Sequence, residues 1–338
     1  MEANKHNAHA RPPDNLRILF KQWQKCSIDD LALKGDILDT AALDGHESVR
    51  EVSVRSDLSP EIEAAFQRFT LSDSTSSSSI SLRLFEVKSL PGLYIYPSLF
   101  PPGVQVELLD KLLHRDLSNP DHKTNLHLHY DLSDLTSSFF ETDPWTVLRP
   151  KDITVHKPIT MQQVLDKKLR WVTLGGQYDW TAKIYPNEIP PQFPGDVADL
   201  LHAAFPDVDP QAAILNVYSP GDTLSLHRDV SEECDRGLIS VSIGCDALFL
   251  VANADGTEVA TIRLQSGDAI LMSGQSRYAW HAVPKVLAAT CPDSLKDWPV
   301  RSHDPAYSHW KGWLSEKRIN LNVRQMRTQP YEYELNTA

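Results

Sequence analysis

Cysteine is scarce in this chain of 338 residues: there are four, Cys26, Cys234, Cys245 and Cys291, and no two make a C-x-x-C pair. A disulfide framework and a zinc–thiolate site are therefore not expected, and a reducing intracellular setting fits. Long apolar runs are also missing. None approaches the roughly 18–20 residues that a membrane span needs, so no membrane partner is expected. Met1 to Pro13 is polar and lacks the apolar stretch of a signal peptide; nucleus, cytoplasm and mitochondrion stay open as destinations. Basic charge is in deficit, with 33 Lys and Arg against 45 Asp and Glu and a formal net charge of −12. That argues against a protein that coats nucleic acid, but not against an enzyme with a local basic patch.

What is present suffices for a core without staples, since 41% of the residues are hydrophobic. Asn15 to Cys26 reads as an amphipathic helix, with Leu16, Leu19, Phe20 and Trp23 at helical spacing. Ser59-Pro60 opens a second, because Ser caps and Pro suits the first turn. Six serines between Ser72 and Ser79 read as a linker. The expected division is a helical extension with linker over 1–80, a catalytic domain over 81–330 and a tail over 331–338, with a monomer as the expected state. Gly92 to Tyr96 reads as a strand, Val104 to Leu113 as a helix, and Asn125 to Tyr130 as an exposed strand.

From Ala213 onward the pattern is β. Apolar runs at Ile214–Tyr218, Leu224–Leu226, Leu238–Ile243, Ala247–Val251, Val259–Leu264 and Ala269–Met272 are separated by turn residues. Short strands at this spacing predict a mainly β fold with flanking helices, a sandwich or barrel such as a double-sheet jelly roll.

His227-x-Asp229 ends one of these strands, and side chains two apart on a strand share a face. Taken alone, H-x-D is a weak signal that also describes a surface His beside a turn Asp. The β-rich frame and a later His281 strengthen it. Two His and one carboxylate form the facial triad of non-haem Fe(II) oxygenases. Arg318, Asn320, Asn322 and Arg324 alternate with apolar residues and so share a face. If that face lines the roll, the buried arginines need an anion such as the dicarboxylate 2-oxoglutarate. If it does not, this is a solvated edge strand. A second metal site at His127, His129 and Asp131 is a weaker reading than an exposed strand and turn. His303 and His309, with Trp298, Trp310 and Trp313, lie in a loop-rich insertion of undecided role.

These residues carry a resemblance. Asn216 to Asp222, Leu226 to Asp229, Ser240 to Gly244, Ser273 to Arg277 with His281, and Arg318-x-Asn320-x-x-x-Arg324 resemble the AlkB-type dioxygenases in order and spacing, over roughly residues 90 to 327. Trp171 to Trp180 and Leu16 to Trp23 resemble the AlkB homologue one branch. The resemblance implies a double-stranded β-helix (jelly roll) and iron held by His227, Asp229 and His281, which are also the catalytic centre. It further implies 2-oxoglutarate held by Asn216, Tyr218, Arg318, Asn320 and Arg324, and O₂ as oxidant. In some members an acidic residue two places beyond the iron Asp contacts the base; here Ser231 stands there, followed by Glu232 and Glu233.

Such a centre hydroxylates C–H bonds, and an N-methyl group so hydroxylated leaves as formaldehyde. The implied substrate is an N-methylated nucleobase in tRNA or other RNA. Methylated DNA, a protein side chain, and a non-catalytic nucleic-acid-binding role are the alternatives. Between Arg149 and Arg170 there are six basic residues against two acidic ones, leading into Trp171, Tyr178 and Trp180. Lys167, Lys168 and Arg170 with Trp171 and Tyr178 are the candidate substrate contacts, a backbone track beside a stacking platform. A solvated face with core aromatics is the competing reading.

Overall fold

In a computed structural model, residues 7–27, 37–55, 58–71, 82–133, 135, 137–300 and 305–329 are described. The strands are β1 (Ile37–Asp39), β2 (Val49–Arg55), β3 (Leu82–Val87), β4 (Leu93–Tyr96), β5 (Val147–Leu148), β6 (Ile159–Thr160), β7 (Trp171–Gly175) and β8 (Ala212–Tyr218). They continue as β9 (Leu224–His227), β10 (Leu238–Gly244), β11 (Ala247–Ala252), β12 (Val259–Leu264), β13 (Ala269–Met272), β14 (Trp280–Val286) and β15 (Arg318–Arg324). One sheet runs β2-β3-β4-β13-β10-β15-β8-β7, and a second runs β1-β12-β11-β14-β9. The two sheets form the expected jelly roll, and the runs read as strands from Ile214 to Met272 match β8 to β13 within two residues.

At β15 and β10 the large sheet is apolar on one face and mostly polar on the other. Ile319, Leu321 and Val323 of β15 join the main core, while Arg318, Asn320, Asn322 and Arg324 alternate with them and are buried too. Opposite them, Ser240 and Ser242 of β10 occupy the same polar face. A strand buried on both faces and polar on one lines an internal site rather than a water-facing edge. Gly244 closes β10 at φ +92°, and a Cβ there would stand 2.4 Å from the carbonyl oxygen of Lys317, so only glycine fits the turn beside Arg318.

Helices cover the outer faces. α1 (Asp14–Lys25) buries Leu16 and Trp23 against β9, β11 and β14. α2 (Pro60–Thr70) is capped by Ser59, whose hydroxyl accepts from the amide of Ile62 at 3.3 Å, with Pro60 in its first turn. α3 (Pro102–Asp110) and α4 (Gly195–Ala204) pack against α2.

Two expectations change. The first 80 residues are not only helical: β1 pairs parallel to β12 and β2 antiparallel to β3, so this segment is built into both sheets. Its Ser-rich linker, like the tail, lies outside the described residues. Asn125 to Tyr130 is not a strand; Asn125–Leu128 is a 3₁₀ turn. There the Thr124 hydroxyl accepts from the amide of Leu126, and Nδ1 of His127 accepts from the amide of Thr124, a local network that outcompetes extension.

Candidate metal centre

β9 and β14 run antiparallel with His227 directly opposite His281. The strand ends at His227, so Asp229 lies in the loop beyond it. Its carboxylate nevertheless stands 3.8 Å from Nε2 of His227 and 3.7 Å from Nε2 of His281. The three donor atoms lie within 4.8 Å of one another, the one such His/Cys/Asp/Glu group among the described residues. The other histidine cluster assembles nothing comparable: His127 is engaged in its capping network and Asp131 accepts from the amide of Ser133.

The protonation states suit a cation. Nδ1 of His227 donates to the carbonyl of Ser225 at 2.8 Å, and Nδ1 of His281 to that of Ala279 at 3.1 Å. A carbonyl only accepts, so each Nδ1 carries a proton and each Nε2 is the ring atom turned toward the other two ligands. Nε2 of His281 is buried without a hydrogen-bond partner. Burial, with the nearby His227, lowers the pKa of His281 to about 4, so the ring is neutral at pH 7. Burial pushes the Asp229 carboxyl upward, but Arg324, His281 and His227 together outweigh it and hold the group ionised, well below the usual carboxylate range. Two imidazoles with their Nδ1 protons committed to carbonyls and one carboxylate, with the orphaned Nε2 of His281 among them, fit Fe(II) bound on one face.

The interior face of β15 supplies the rest. Arg318 is 1% exposed, and one Nη donates to the hydroxyl of Ser242 at 2.9 Å. Its Nε and other Nη have no partner, nor does the buried hydroxyl of Tyr218, whose ring lies 5.4 Å from the guanidinium. Tyr218 and Arg318 are cross-strand partners, as are Asn216 and Asn320. Asn320 donates to Ser240 and to the carbonyl of Val241. A buried, uncompensated cation beside an idle hydroxyl is costly unless an anion completes it. Burial lowers the pKa of Arg318.

Arg324 differs. It donates to Asp229 at 2.9 Å and to the hydroxyl of Tyr185 at 3.0 Å, and its Nε lies 3.4 Å from Glu232. Glu232 pairs with Arg277 at 2.9 Å, both fully buried, and Arg277 also donates to the backbone carbonyls of Asp229 and Arg236. Thus Glu232 faces inward and clamps the metal-side loop, while Glu233 is exposed and pairs with Arg327 at 3.1 Å. Glu232, Arg277 and Tyr185 were not found by sequence spacing, because their partners lie 45 to 139 residues away.

Beside the centre, aromatic rings lead outward. Tyr178 stands 5.1 Å from Tyr185, Trp180 5.0 Å from Tyr178 and Trp171 4.9 Å from Trp180, centroid to centroid. Tyr178 is hydrogen-bonded to Ser231. Lys167 and Lys168 are exposed on a π turn before β7. Arg170 is half-engaged, ion-paired with Asp222. Trp298 and Trp313 pack around Phe140 and their indole N–H groups donate to Asp110 and to the Leu165 carbonyl, so the Trp-rich insertion is core here; Trp310 is buried beside them. His309 is exposed, and His303 lies outside the described residues.

The family described as the 2OG-Fe(II) oxygenase superfamily matches residues 124–324. The N6-methyladenosine RNA demethylase ALKB1 of Pyricularia oryzae is 45% identical over 95% of this chain and 98% of its own. The N6-methyladenosine RNA demethylase ALKBH of Cryphonectria parasitica is 53% identical over 60% of this chain and 99% of its own. The tRNA demethylase abh1 of Schizosaccharomyces pombe is 38% identical over 73% of this chain and 83% of its own.

Proposed function

The chain belongs to the 2OG-Fe(II) oxygenase superfamily, in its AlkB-type branch, and from that premise we propose that it removes N-methyl groups from nucleobases of RNA by oxidation. His227, Asp229 and His281 would hold the iron. Arg318 and Tyr218 would grip the distal carboxylate of 2-oxoglutarate, with Asn216 and Asn320 shaping the polar wall between. The observation that carries this reading is the pair of buried orphans: Nε2 of His281 awaiting a cation, and the guanidinium of Arg318 awaiting an anion.

Iron with 2-oxoglutarate and O₂ supplies an oxidant for a C–H bond, with succinate and CO₂ as co-products. The protein's own residues bind, orient and exclude. The Ser225 and Ala279 carbonyls fix both imidazole tautomers. Arg324 and Arg277 hold the Asp229 loop. Trp180 and Tyr178 offer faces on which an extruded base can stack. The relatives named as RNA and tRNA demethylases support RNA over other substrates. Formaldehyde release is the test, with N6-methyladenosine RNA, methylated tRNA, methylated DNA and methylated peptide as parallel substrates. Release from RNA supports the reading; release from DNA or peptide alone overturns it.

A further inference from the structure

One cavity is lined by none of the metal-centre residues and adjoins the β7 edge. It has a volume of about 230 Å³ and is lined by Leu132, Leu135, Phe139 and Tyr130 with Lys123, Lys151 and His127. Its place is set by β7, an edge strand of the large sheet. Thr124 bridges to Val172, and the amide of Lys123 donates to Gln177, the residue before Tyr178. Asn125 binds the carbonyl of Lys168 and the amide of Arg170. The cavity, the exposed Lys167 and Lys168, and the aromatic mouth are therefore joined through a few backbone bonds.

Its chemistry is that of an anion site with an apolar wall. Among the described residues neither Lys123 nor Lys151 forms an ion pair. Each ammonium is tied to one carbonyl, Lys123 to that of Pro120 at 2.7 Å and Lys151 to that of His127 at 2.6 Å. One donor is thus used for positioning and two remain on each. Asp131 also lines the cavity, but its carboxylate serves the Ser133 turn, and two lysines outweigh it. His127 accepts at Nδ1, so its proton is on Nε2, a further donor. The pKa of His127 falls to about 4, through burial first and then the two lysines, as a positive local field requires.

We propose that this cavity is a subsite for a second nucleotide of the substrate RNA, with Lys123 and Lys151 on its phosphate and the apolar wall beneath its base. It rests on the RNA reading above. A strand whose target base enters past Trp171 and Trp180 crosses Lys168 and reaches the cavity along the β7 edge. The volume, smaller than a typical ligand pocket, takes part of one nucleotide rather than a folded element.

The test uses the full chain with Lys123→Glu, Lys151→Glu and both together. The probes are a methylated stem-loop RNA and the same methylated nucleotide as a mononucleotide. In the double variant, kcat/KM on the stem-loop relative to the mononucleotide falls about tenfold, and the slope of log stem-loop affinity against log salt flattens by about 1–2. Both lysines are exposed, and the thermal midpoint checks that the fold is intact. An unchanged ratio and slope overturns the subsite, as does an equal loss on both probes. Failure of the underlying reading looks different: the unaltered protein then releases formaldehyde from neither probe, and the subsite falls with it.

Discussion

Replacing Arg318 by methionine sends two quantities in opposite directions. In the protein without cosubstrate, the guanidinium is buried with one hydrogen bond, to Ser242, and two nitrogens unsatisfied. Relieving an unsatisfied buried polar group returns about 1–3 kcal/mol. Losing the Ser242 bond costs about 1 kcal/mol, and Met fills similar apolar volume. The net is about 0–2 kcal/mol in favour of the variant, which for a chain of this size raises Tm by roughly 0–4 °C. With cosubstrate the sign reverses. Truncating one partner of a buried charge pair costs about 2–5 kcal/mol, so the Kd for 2-oxoglutarate rises by a factor of roughly 30 to several thousand. In the unaltered protein, 2-oxoglutarate at 100 times its Kd stabilises by about 2.7 kcal/mol, a shift of roughly 3–5 °C. The assay is thermal denaturation with Mn(II) as a redox-inert metal, with and without 2-oxoglutarate. The variant should start level or higher and show almost no shift. A variant that shifts as far as the unaltered protein removes Arg318 from the cosubstrate, and a starting Tm several degrees lower refutes the claim that its charge is uncompensated.

Other perturbations separate the parts of the centre. His227→Ala should lower Co(II) affinity at least a hundredfold by calorimetric titration while leaving Tm of the metal-free protein within a few degrees; retained affinity would remove His227 from the metal. Glu232→Gln breaks a fully buried pair with Arg277, at a cost of about 3–5 kcal/mol, and should lower Tm by roughly 4–10 °C; an unaltered Tm would mean that the clamp on the Asp229 loop is idle. The pKa of His127 lies below its unfolded value, so the unfolded chain binds more protons between the two. Its contribution to stability is thus present above pH 6.5 and lost as pH falls toward 4, where protonation also breaks the bond from the Thr124 amide. His127→Gln should flatten the acid side of the stability profile in that window, and NMR titration should show the pKa of His127 rising in Lys123→Ala.

Much of the roll was legible as alternation. The runs from Ile214 to Met272 became strands because period-two burial between two sheets leaves little choice of register. The even positions of β15 read as one polar face, and they are one. The helix from Asn15 and the cap at Ser59 were local signals with local causes. Where sequence reasoning failed, a nearby side chain had an alternative to the ladder: Thr124 and His127 close a turn where alternation reads as a strand. The integration of β1 and β2 into the sheets was equally out of reach, since Ile37 meets Thr261 and Val49 meets Val87 only after folding.

The sequence alone determined which residue types are available, two imidazoles, a carboxylate and a strand with arginine at both ends, because composition and periodicity are local properties. Tertiary structure alone decided what each arginine does. Arg318 and Arg324 share one face of one strand, six residues apart, yet the first meets only Ser242 and Tyr218 while the second finds Asp229 and Glu232. Charge compensation depends on distance through space, and the chain closes those distances only when β9 and β14 come to face β15.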